Sequence, residues 1–453
     1  MKPKFFFILF IFLISAMLFF PLFTPMPEAS ELSQEPEEIS SVSPAGKREL
    51  LRSSIVLPAQ LAENPHIKIL ILQNQDQLTL SIPFPYAVES VPDSKILERG
   101  SLLSSAKIVP AAGGIQIGRA VYNQSHLKLA TENQYFDING KQFHGDVEIT
   151  KTPSGKLNVI NEVQMEDYLK GVLPWEVSEK WRMEALKAQA VVARTFAIFK
   201  ILERAGQTHI LTSDVLSQVY AGKSVEKLKT NRAVDATRGE VLLFRKQIFP
   251  AFFHAHCGGQ TTQADYVWRI QPNPVLNGTI CLYCKGSKYD RWESSVSLDK
   301  IEAKIRARGF TISPIRTILF SDYDPSGRAR KVIIEHTKGT LTLDANDFRL
   351  FVGPDLIRST KATVDVTRHQ KAEFSGQGWG HGVGMCQWGS KAQAELGRSY
   401  QEILAFYYPG SKLQKLYGGK NVPLLSASPG DSSDVESDGL LDKAERLVND
   451  WFG

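Results

Sequence analysis

The chain has 453 residues, of which 43% are hydrophobic, and a formal net charge of +5. This length and composition predict a globular protein with two or more domains and a sizeable core. The small basic excess suits an acidic polymer as a partner, but it equally describes an ordinary solvated surface. Because the sequence has no Lys/Arg tract and no basic-aromatic array, nothing indicates nucleic-acid binding.

The first 27 residues contain an apolar segment. Lys2 and Lys4 precede a nearly uniform run of Phe, Ile and Leu that is broken at Pro21. Its length lies between that of a signal-peptide core and that of a membrane-spanning helix. Because no clean Ala-x-Ala site follows, we favour an uncleaved signal anchor for residues 1–27 over a cleaved signal peptide. Either interpretation exports the remaining chain across the inner membrane, and a buried core helix is a poorer alternative.

The segment that follows predicts a linker and then a β-rich region. Residues 28–62 are rich in Ser, Glu and Pro, which predicts a flexible linker. From His66 to about Val163, apolar runs typical of strands are separated by turn signals such as Asn139-Gly. Strands and helices do not alternate regularly along the chain. The predicted fold class is therefore α+β, with a β-rich N-terminal part, a central buried helix and a mixed α/β core.

The central helix is predicted from about residue 180 to 204. Its apolar residues recur at spacings of three and four and cover nearly every face of the second half, which predicts burial. Glu176 comes just after a proline turn and just before this helix, so its carboxylate would combine a rigid support with access to solvent, as a catalytic acid requires. The alternative is a helix N-terminal charge that favours the macrodipole. Glu184 and Lys187 are spaced to pair along the helix.

Cysteine spacing indicates a metal site. His254-x-x-Cys257 and Cys281-x-x-Cys284 together form a Cys₃His set of the kind that zinc takes in closed tetrahedral sites. Such a site would be structural, because three thiolates and an imidazole leave no position for water. His256 is a rival ligand. A disulfide between Cys281 and Cys284 is the alternative, since the exported compartment is oxidising.

A glycine-rich loop follows the mixed region. From residue 376 to 384 every second residue is glycine. If this segment is extended, Gln377, Trp379 and His381 share one face, and the bare opposite face lets another chain segment or a sugar ring approach closely. Trp379 could stack on a pyranose, and His381 could hydrogen-bond to it or orient Glu176. The alternative is a tight structural turn that packs against the core.

The C-terminal part predicts a helix and then a tail. Ser399 and Glu402 form a capping-box pattern after Gly397, which predicts the start of a final helix. Residues 416–453 predict a flexible acidic tail. An ordinary acidic tail is the alternative to an EF-hand-like calcium loop, because Glu is atypical at the third position and no helix precedes it. The calcium ligands would be Asp434, Glu436, Asp438, Asp442 and Glu445.

Two motifs carry a family resemblance. The first runs through Tyr168-Leu-Lys-Gly-Val, Pro174-Trp-Glu and Glu184-Ala-Leu-Lys-Ala-Gln-Ala-Val-Val-Ala-Arg-Thr. The second is Gly376-Gln-Gly-Trp-Gly-His-Gly-Val-Gly-Met-Cys-Gln-Trp-Gly, followed by the final helix. In this order they resemble the stage II sporulation protein D / amidase enhancer family, over roughly residues 66–413. The family usually has serine at Cys386, and a buried small residue fits either way.

The resemblance implies a bacterial envelope protein, anchored in the inner membrane or exported, that faces the periplasm or cell wall. Region 63–415 would cleave peptidoglycan glycan strands, with Glu176 as the catalytic acid/base. One such residue suffices for a lytic transglycosylase, in which the muramyl 6-hydroxyl attacks the bond between N-acetylmuramic acid and N-acetylglucosamine. The expected substrate-binding residues are Trp175, Gln377, Trp379, His381 and Gln387.

Two further implications concern cofactors and partners. Some family members are similar in carrying zinc near the position of these cysteines. Others are thought to enhance a partner amidase, so the alternative function is a non-catalytic glycan-binding module. A scaffold role in a septal complex is a further alternative.

Overall fold

The computed structural model describes residues 51–57, 64–132, 134–209, 211–212 and 220–418. These residues form two compact bodies. The main body consists of the described residues within 51–287 and 382–418, and the inserted body consists of residues 288–381. Within the described stretches, no helix has the length and apolar character needed to cross a membrane. The predicted signal anchor at residues 1–27 lies outside them.

The main body begins with a series of strands in which apolar and polar residues alternate. In the third of them, for example, Leu78 and Leu80 are buried while Thr79 between them is exposed. The strands are β1 Ile55–Val56, β2 His66–Gln75, β3 Leu78–Ile82, β4 Tyr86–Ser90, β5 Ile96–Gly100, β6 Leu103–Ala111, β7 Gly114–Ile117, β8 Ala120–Tyr122, β9 His126–Ala130, β10 Tyr135–Ile138, β11 Lys141–His144, β12 Asp146–Lys151 and β13 Leu157–Gln164.

Helices dominate the next part of the main body, with short strands between them. The elements are α1 Met165–Glu176, α2 Met183–Glu203, β14 Leu211–Thr212, α3 Leu228–Ala236, β15 Glu240–Phe244, β16 Gln247–Ile248, β17 Phe253–His254 and α4 Ala264–Val267.

The inserted body has its own hydrophobic core, built from two small antiparallel sheets and two helices. Its elements are β18 Arg291–Ser297, α5 Leu298–Arg306, β19 Ile315–Tyr323, β20 Ala329–His336, β21 Gly339–Asp344, α6 Ala345–Val352, β22 Ala362–Thr367 and β23 Lys371–Gln377. The sheet orders are β18-β23-β22 and β19-β20-β21.

The chain then returns to the main body. The last elements are β24 Met385–Cys386, α7 Gln387–Glu395, α8 Tyr400–Tyr407 and β25 Lys412–Lys415. The predicted capping box at the start of α8 is confirmed, because Ser399 and Glu402 each accept from the other's backbone N–H. Strand β24 pairs in parallel with β17, and β25 pairs with β15 in the order β1-β16-β15-β25.

Two larger sheets form the β-rich part of the main body. Their strand orders are β11-β10-β3-β6-β7-β8 and β14-β2-β13-β12-β9-β4-β5. Between β10 and β11, Asn139 and Gly140 adopt left-handed conformations with φ of 50° and 81°, as the Asn-Gly turn signal predicts. The buried side chains of both sheets share one hydrophobic core with α1 and with part of α2. The α+β fold class is confirmed.

Helix α2 is the central element of the main body. Its residues from Ala185 to Phe199 are almost all buried. Some of them, such as Leu186 and Ala190, belong to the core of the two large sheets. Others, such as Ala188 and Val192, belong to a second core with α8 and the cysteines. The predicted buried helix is therefore confirmed, and packing on several sides explains why nearly every face is apolar.

A buried ion pair joins α1 to α2. Arg194 donates to Glu166 from Nε at 2.9 Å and from Nη2 at 2.7 Å, and both side chains are almost fully buried. Glu166 also accepts from the Tyr417 hydroxyl at 2.7 Å and from the Gly239 N–H at 3.2 Å. Arg194 further donates to the Glu240 carbonyl at 3.1 Å. Because both charges are extensively hydrogen-bonded, the pair can be buried without a large penalty.

The structure corrects the predicted proline turn before Glu176. Pro174 lies inside the last turn of α1, and Glu176 is the final residue of that helix. Proline lacks the N–H that would bond to the Lys170 carbonyl, and α1 ends two residues later, at Glu176. Glu176 is thus carried by the C-terminal end of α1 and precedes α2 by a short loop.

Some predicted boundaries are also corrected. The linker predicted for residues 28–62 overlaps β1, in which Ile55 pairs with Ile248. The tail predicted from residue 416 overlaps Tyr417, which is buried and bonded to the core. The single region predicted for 63–415 contains both bodies. Composition did not reveal this division, because strands of both bodies share the same alternating pattern.

Removing the arginine of the ion pair tests its contribution. Arg194→Met leaves the Glu166 carboxylate buried without its cation, so we expect the free energy of unfolding at pH 7 to fall by about 3–5 kcal/mol. Lys187→Met on the same helix breaks the half-exposed pair with Glu184 at 2.8 Å and the contact of its Nζ with the Tyr400 ring, and should cost about 1 kcal/mol or less. Urea denaturation measures both. Equal losses would contradict this account.

The same comparison has a definite pH dependence. Burial alone would raise the pKa of Glu166, but the Arg194 charge and the hydrogen bonds lower it below its ordinary value. A depressed pKa contributes stability that is present above about pH 4.3, the ordinary value for Glu, and is lost as the pH falls through the folded-state pKa. The stability gap between wild type and Arg194→Met should therefore narrow in acid. A gap that is constant with pH would contradict the assignment.

Candidate active site and cysteine cluster

Glu176 occupies an unusual position for a purely structural glutamate. It is half-buried and is the last residue of α1, where the Val177 N–H closes the final turn on the Leu173 carbonyl at 3.0 Å. A helix C-terminus carries partial negative charge, so the macrodipole does not favour a carboxylate there. The alternative of a helix N-terminal charge is therefore not supported. The residue has limited exposure on a rigid support, which is compatible with acid/base chemistry.

Two buried glutamines lie beside this carboxylate. Gln387 contacts it directly, and Gln189 contacts Gln387. Gln387 Nε2 donates to Glu176 Oε2 at 3.2 Å and to Gln189 Oε1 at 3.4 Å. Gln387 lies at the start of α7 and is 6% exposed, and Gln189 lies on α2 and is 1% exposed. The sequence prediction placed Gln387 among substrate-binding residues. In the structure its amide contacts Glu176, and its role in substrate binding stays a prediction.

Tyr168 lies within the electrostatic reach of Glu176. Its phenol is fully buried on α1. Burial raises the pKa of Tyr168 well above its ordinary value, and the charge of Glu176 raises it further. Tyr168 therefore stays neutral at physiological pH and is a polar but uncharged neighbour of the carboxylate.

Aromatic side chains flank Glu176 in sequence and in the fold. Trp175 is 45% exposed, and its role in contacting substrate stays a prediction. Trp181 and Trp388 form an edge-to-face pair with ring centroids 5.9 Å apart. Neither was predicted as a site residue, although Trp388 directly follows Gln387. Because a tryptophan face can stack on a sugar ring, Trp181 and Trp388 are additional candidates for substrate contact.

The glycine-rich loop is not extended beyond β23. Gly378, Gly380, Gly382 and Gly384 have positive φ of 79°, 109°, 85° and 69°, so the alternating-face arrangement expected of a strand does not apply. The structure corrects that expectation in favour of a folded loop. Glycine is required at these positions because left-handed and related conformations are strained for other residues.

The three side chains expected from this loop lie in the inserted body. Gln377 ends β23, opposite Arg291 of β18. Trp379 is half-buried, with the Tyr289 ring 5.1 Å away edge-to-face and the Arg358 guanidinium 4.7 Å from its centroid. His381 is half-buried at the end of this body. Glu176 and Gln387 belong to the main body.

The cysteines come together in the main body. The Sγ atoms of Cys257, Cys281, Cys284 and Cys386 all lie within 4.8 Å of one another, and all four side chains are buried. All are free thiols. The Sγ atoms of Cys257 and Cys284 are 3.2 Å apart, well beyond the disulfide bond length of about 2.05 Å. The structure therefore gives a set of four sulfur donors and does not contain the alternative disulfide.

The fourth member of this cluster differs from the sequence prediction. His254 is not among the grouped donors, and its Nδ1 lies 3.0 Å from the Val383 carbonyl oxygen. The parallel pairing of β17 with β24 places His254 opposite Cys386 and brings Cys386 to the cluster. The predicted Cys₃His set is thus replaced by four cysteines. Sequence spacing could not show this, because Cys386 is 129 residues from Cys257.

Neighbouring groups order the cysteine cluster. His256 Nδ1 accepts from the Gly258 N–H at 3.0 Å, so its Nε2 carries the proton and donates to the Cys284 carbonyl at 2.8 Å. The rival ligand His256 therefore supports the loop backbone. Cys386 Sγ accepts from the Gly389 N–H at 3.3 Å and is the N-cap of α7.

The pKa values of two of these thiols are shifted in opposite directions. Hydrogen bonding from Cys257 lowers the pKa of Cys284, while burial raises the pKa of Cys386. Cys284 is therefore favoured as a thiolate, whereas Cys386 resists ionisation. A bound divalent cation is the group that would stabilise all four as thiolates.

The remaining predicted metal site cannot be placed. The calcium ligands Asp434, Glu436, Asp438, Asp442 and Glu445 lie outside the described residues.

Comparison with known proteins agrees with this arrangement. A family model described as stage II sporulation protein matches residues 153–244, which include Glu176. A second model, described as a domain of unknown function, matches residues 275–384 and so nearly coincides with the inserted body.

Similar proteins cover most of the chain. An uncharacterized protein of Brachyspira hyodysenteriae is 30% identical over 76% of this chain and 91% of its own length. The amidase enhancer of Bacillus subtilis is 31% identical over 54% of this chain, but only 40% of its own length is matched. Stage II sporulation protein D of Bacillus subtilis is 26% identical over 56% of this chain and 76% of its own length. The chain belongs to the stage II sporulation protein D / amidase enhancer family.

Gly389 tests the packing of α7 on the cysteine cluster. A Cβ at this position would lie 2.8 Å from Cys281 Sγ and would also collide with the Tyr407 hydroxyl. We therefore expect Gly389→Ala to lower the free energy of unfolding by about 1–3 kcal/mol, measured by urea denaturation. Lys391→Ala on the same helix removes a surface ion pair and should change it by about 1 kcal/mol or less. An unaffected Gly389→Ala protein would show that α7 does not approach the cluster this closely.

Proposed function

We propose that this protein is a peptidoglycan lytic transglycosylase that cleaves glycan strands between N-acetylmuramic acid and N-acetylglucosamine. The observation that carries the proposal is the position of Glu176. Its carboxylate is half-buried at the last residue of α1, and Gln387 Nε2 lies 3.2 Å from one of its oxygens. A role in remodelling the cell wall agrees with relatives named for sporulation and amidase enhancement. We place the protein on the exported side of the inner membrane.

The proposed reaction uses one residue in two steps. The protonated Glu176 donates its proton to the glycosidic oxygen as the bond to the muramyl C1 breaks, so N-acetylglucosamine leaves with a free hydroxyl. The resulting carboxylate then accepts the proton of the muramyl 6-hydroxyl, whose oxygen bonds to C1 and closes the 1,6-anhydro ring. The attacking group comes from the substrate itself. No second carboxylate is therefore needed.

Aromatic side chains of the main body supply substrate contacts in this proposal. The exposed Trp175 adjoins Glu176, and Trp388 adjoins the supporting Gln387. Their faces suit the apolar faces of pyranose rings, which would place successive sugars beside the acid. Trp379 and His381 of the inserted body remain proposed sugar contacts.

A second candidate function rests on the match to the amidase enhancer. In this alternative the same residues bind glycan without cleaving it, and the protein enhances a partner amidase. The two candidates differ in one measurable respect, because only the enzyme creates new glycan chain ends.

Replacing the acid by its neutral isostere tests the proposal. Glu176→Gln cannot donate or accept the proton, so we expect cleavage of purified peptidoglycan to fall by about 10²–10⁴-fold while glycan binding persists. Glu179→Gln is the matched control, because Glu179 is an exposed carboxylate three residues further along the chain. Mass spectrometry of the released fragments counts new 1,6-anhydro ends.

The products separate the candidates. Anhydro ends from wild type and Glu179→Gln alone support the transglycosylase. New reducing ends would contradict the transglycosylase and indicate a glycan hydrolase. Retained binding without new ends, for both the wild type and the variant, would contradict an enzyme and favour the amidase-enhancing module.

We also propose that the four cysteines hold a structural zinc ion. Buried sulfur donors grouped this closely suit zinc, which would stabilise them as thiolates. Bound zinc would stabilise the fold by cross-linking the loops that carry Cys257, Cys281 and Cys284 to the start of α7. With four protein ligands it would leave no position for a catalytic water.

Metal content tests the zinc proposal and its ligand set. Protein purified under reducing conditions should contain about one zinc per chain by plasma mass spectrometry. Cys386→Ser should lower this content and the thermal midpoint, whereas His254→Ala should keep the metal. Retention of zinc by Cys386→Ser together with its loss from His254→Ala would restore the Cys₃His set. A metal-free wild type would contradict the site.

A further inference from the structure

The two glutamines beside Glu176 form an ordered chain of amides. Gln387 Nε2 has two hydrogens, and its contacts direct one to Glu176 Oε2 and the other to Gln189 Oε1. Gln387 comes from α7 and Gln189 from α2, so three helices meet at this chain. Both glutamines are almost fully buried. Their amides therefore have few other groups to bond.

The unsatisfied nitrogen of Gln189 indicates why its side-chain amide keeps this orientation. Gln189 Nε2 is buried and has no hydrogen-bond partner among the residues that the structure describes. Reversing the Gln189 amide would turn this nitrogen toward Gln387 Nε2 and place two donors face to face. The observed orientation keeps the contact to Gln387 and leaves a donor of Gln189 unsatisfied, which costs stability. The contact to Gln387 is thus maintained at the expense of a buried donor.

We propose that Gln189 and Gln387 are positioning residues for Glu176. They fix the carboxyl rotamer and direct the exchangeable proton to Oε1. The proposal rests on the acid/base role of Glu176 given above. It assigns neither glutamine a contact with the substrate.

The chemistry follows from the direction of the hydrogen bonds. An N–H donated to Oε2 favours that oxygen as the carbonyl oxygen, so the acid form of Glu176 favours a proton on Oε1. The amide dipole at Oε2 also stabilises the carboxylate formed after proton transfer. Without the acceptor of Gln189, the Gln387 amide is free to reverse and present its oxygen to the carboxyl. The proton would then be held on Oε2, on the side of α7.

The three helices that carry Glu176 and the two glutamines also bear titratable and charged side chains. The buried Tyr168 of the same helix is neutral, because burial and the Glu176 charge raise its pKa. On α2 the charges closest in sequence to Gln189 are Lys187, which pairs with Glu184 at 2.8 Å, and Arg194, which pairs with Glu166 at 2.7 Å. On α7 Lys391 pairs with Glu395 at 2.8 Å. Replacing Gln387, which contacts Glu176, or Gln189, which contacts Gln387, changes the surroundings of the carboxylate without changing the net charge.

The test measures the ionisation of Glu176 directly in the full chain. Carbon-13 NMR of protein labelled at the glutamate carboxyl carbon gives a titration curve, and Glu176→Gln identifies the resonance. Gln387→Met removes the donor to Oε2, so we expect the Glu176 midpoint to rise by about one pH unit. Gln189→Met should move it in the same direction by a smaller amount.

A matched control separates positioning from packing. Gln393→Met removes another fully buried glutamine of α7 whose Nε2 also has no partner among the described residues, and whose oxygen accepts from Arg398. It should leave the Glu176 titration unchanged. Gln189→Met should keep or raise the thermal midpoint, because it removes an unsatisfied donor, and Gln189→Leu repeats the test with a second side chain.

The outcomes distinguish this inference from the proposed function. With glycan substrate, Gln189→Met should lower kcat about tenfold with little change in KM. Unshifted titrations in both Gln189 variants and in Gln387→Met would overturn the positioning role, whatever the activity. Shifted titrations in a protein that cleaves no glycan would leave the positioning role intact and remove the transglycosylase.

Discussion

The buried ion pair between Glu166 and Arg194 is the interaction on which the rest of the site depends. Glu166 lies in the first turn of α1 and Glu176 is its last residue, so the pair fixes one end of a rigid helix whose other end carries the acid. The same carboxylate accepts from Tyr417 and Gly239. It therefore also ties the segments before β15 and after β25 to the central helix. Such a pair specifies one arrangement of helices, because an unpaired partner would be a buried charge.

The cysteine cluster is a second constraint, which acts on Glu176 through α7. Cys386 belongs to the cysteine cluster and caps the N-terminus of α7, and the next residue, Gln387, contacts Glu176. The cluster and the ion pair thus act on two helices that meet at one carboxylate. Helix α2 links them, since it carries both Arg194 and Gln189. The carboxylate of Glu176, the proposed acid/base residue, is thus held by elements on two sides.

Local patterns in the sequence predicted what local chemistry determines. The periodicity of α2, the Asn-Gly turn and the Ser399 capping box depend on residues close in sequence, and the structure contains all three. The ion pair joins residues 28 positions apart through tertiary packing, and nothing in the spacing marks Arg194 as the partner of Glu166. Cys386 reaches the cluster through the short parallel pairing of β17 with β24, which sequence spacing does not show. The sequence therefore favours His254 as the fourth ligand, because it lies close to Cys257 in the chain. The positive φ angles of the glycine loop could not be predicted from the sequence either, because alternating glycines are compatible with a strand and with a folded loop.

The central claim is that a glycan strand binds with its scissile bond beside Glu176. A crystal structure of Glu176→Gln with a bound oligosaccharide of alternating N-acetylglucosamine and N-acetylmuramic acid tests it most directly. The account predicts the glycosidic oxygen between a muramyl and a glucosaminyl ring within hydrogen-bond distance of the side-chain amide of residue 176. A glycan ordered elsewhere on the protein, with no glycosidic oxygen near this position, would contradict it.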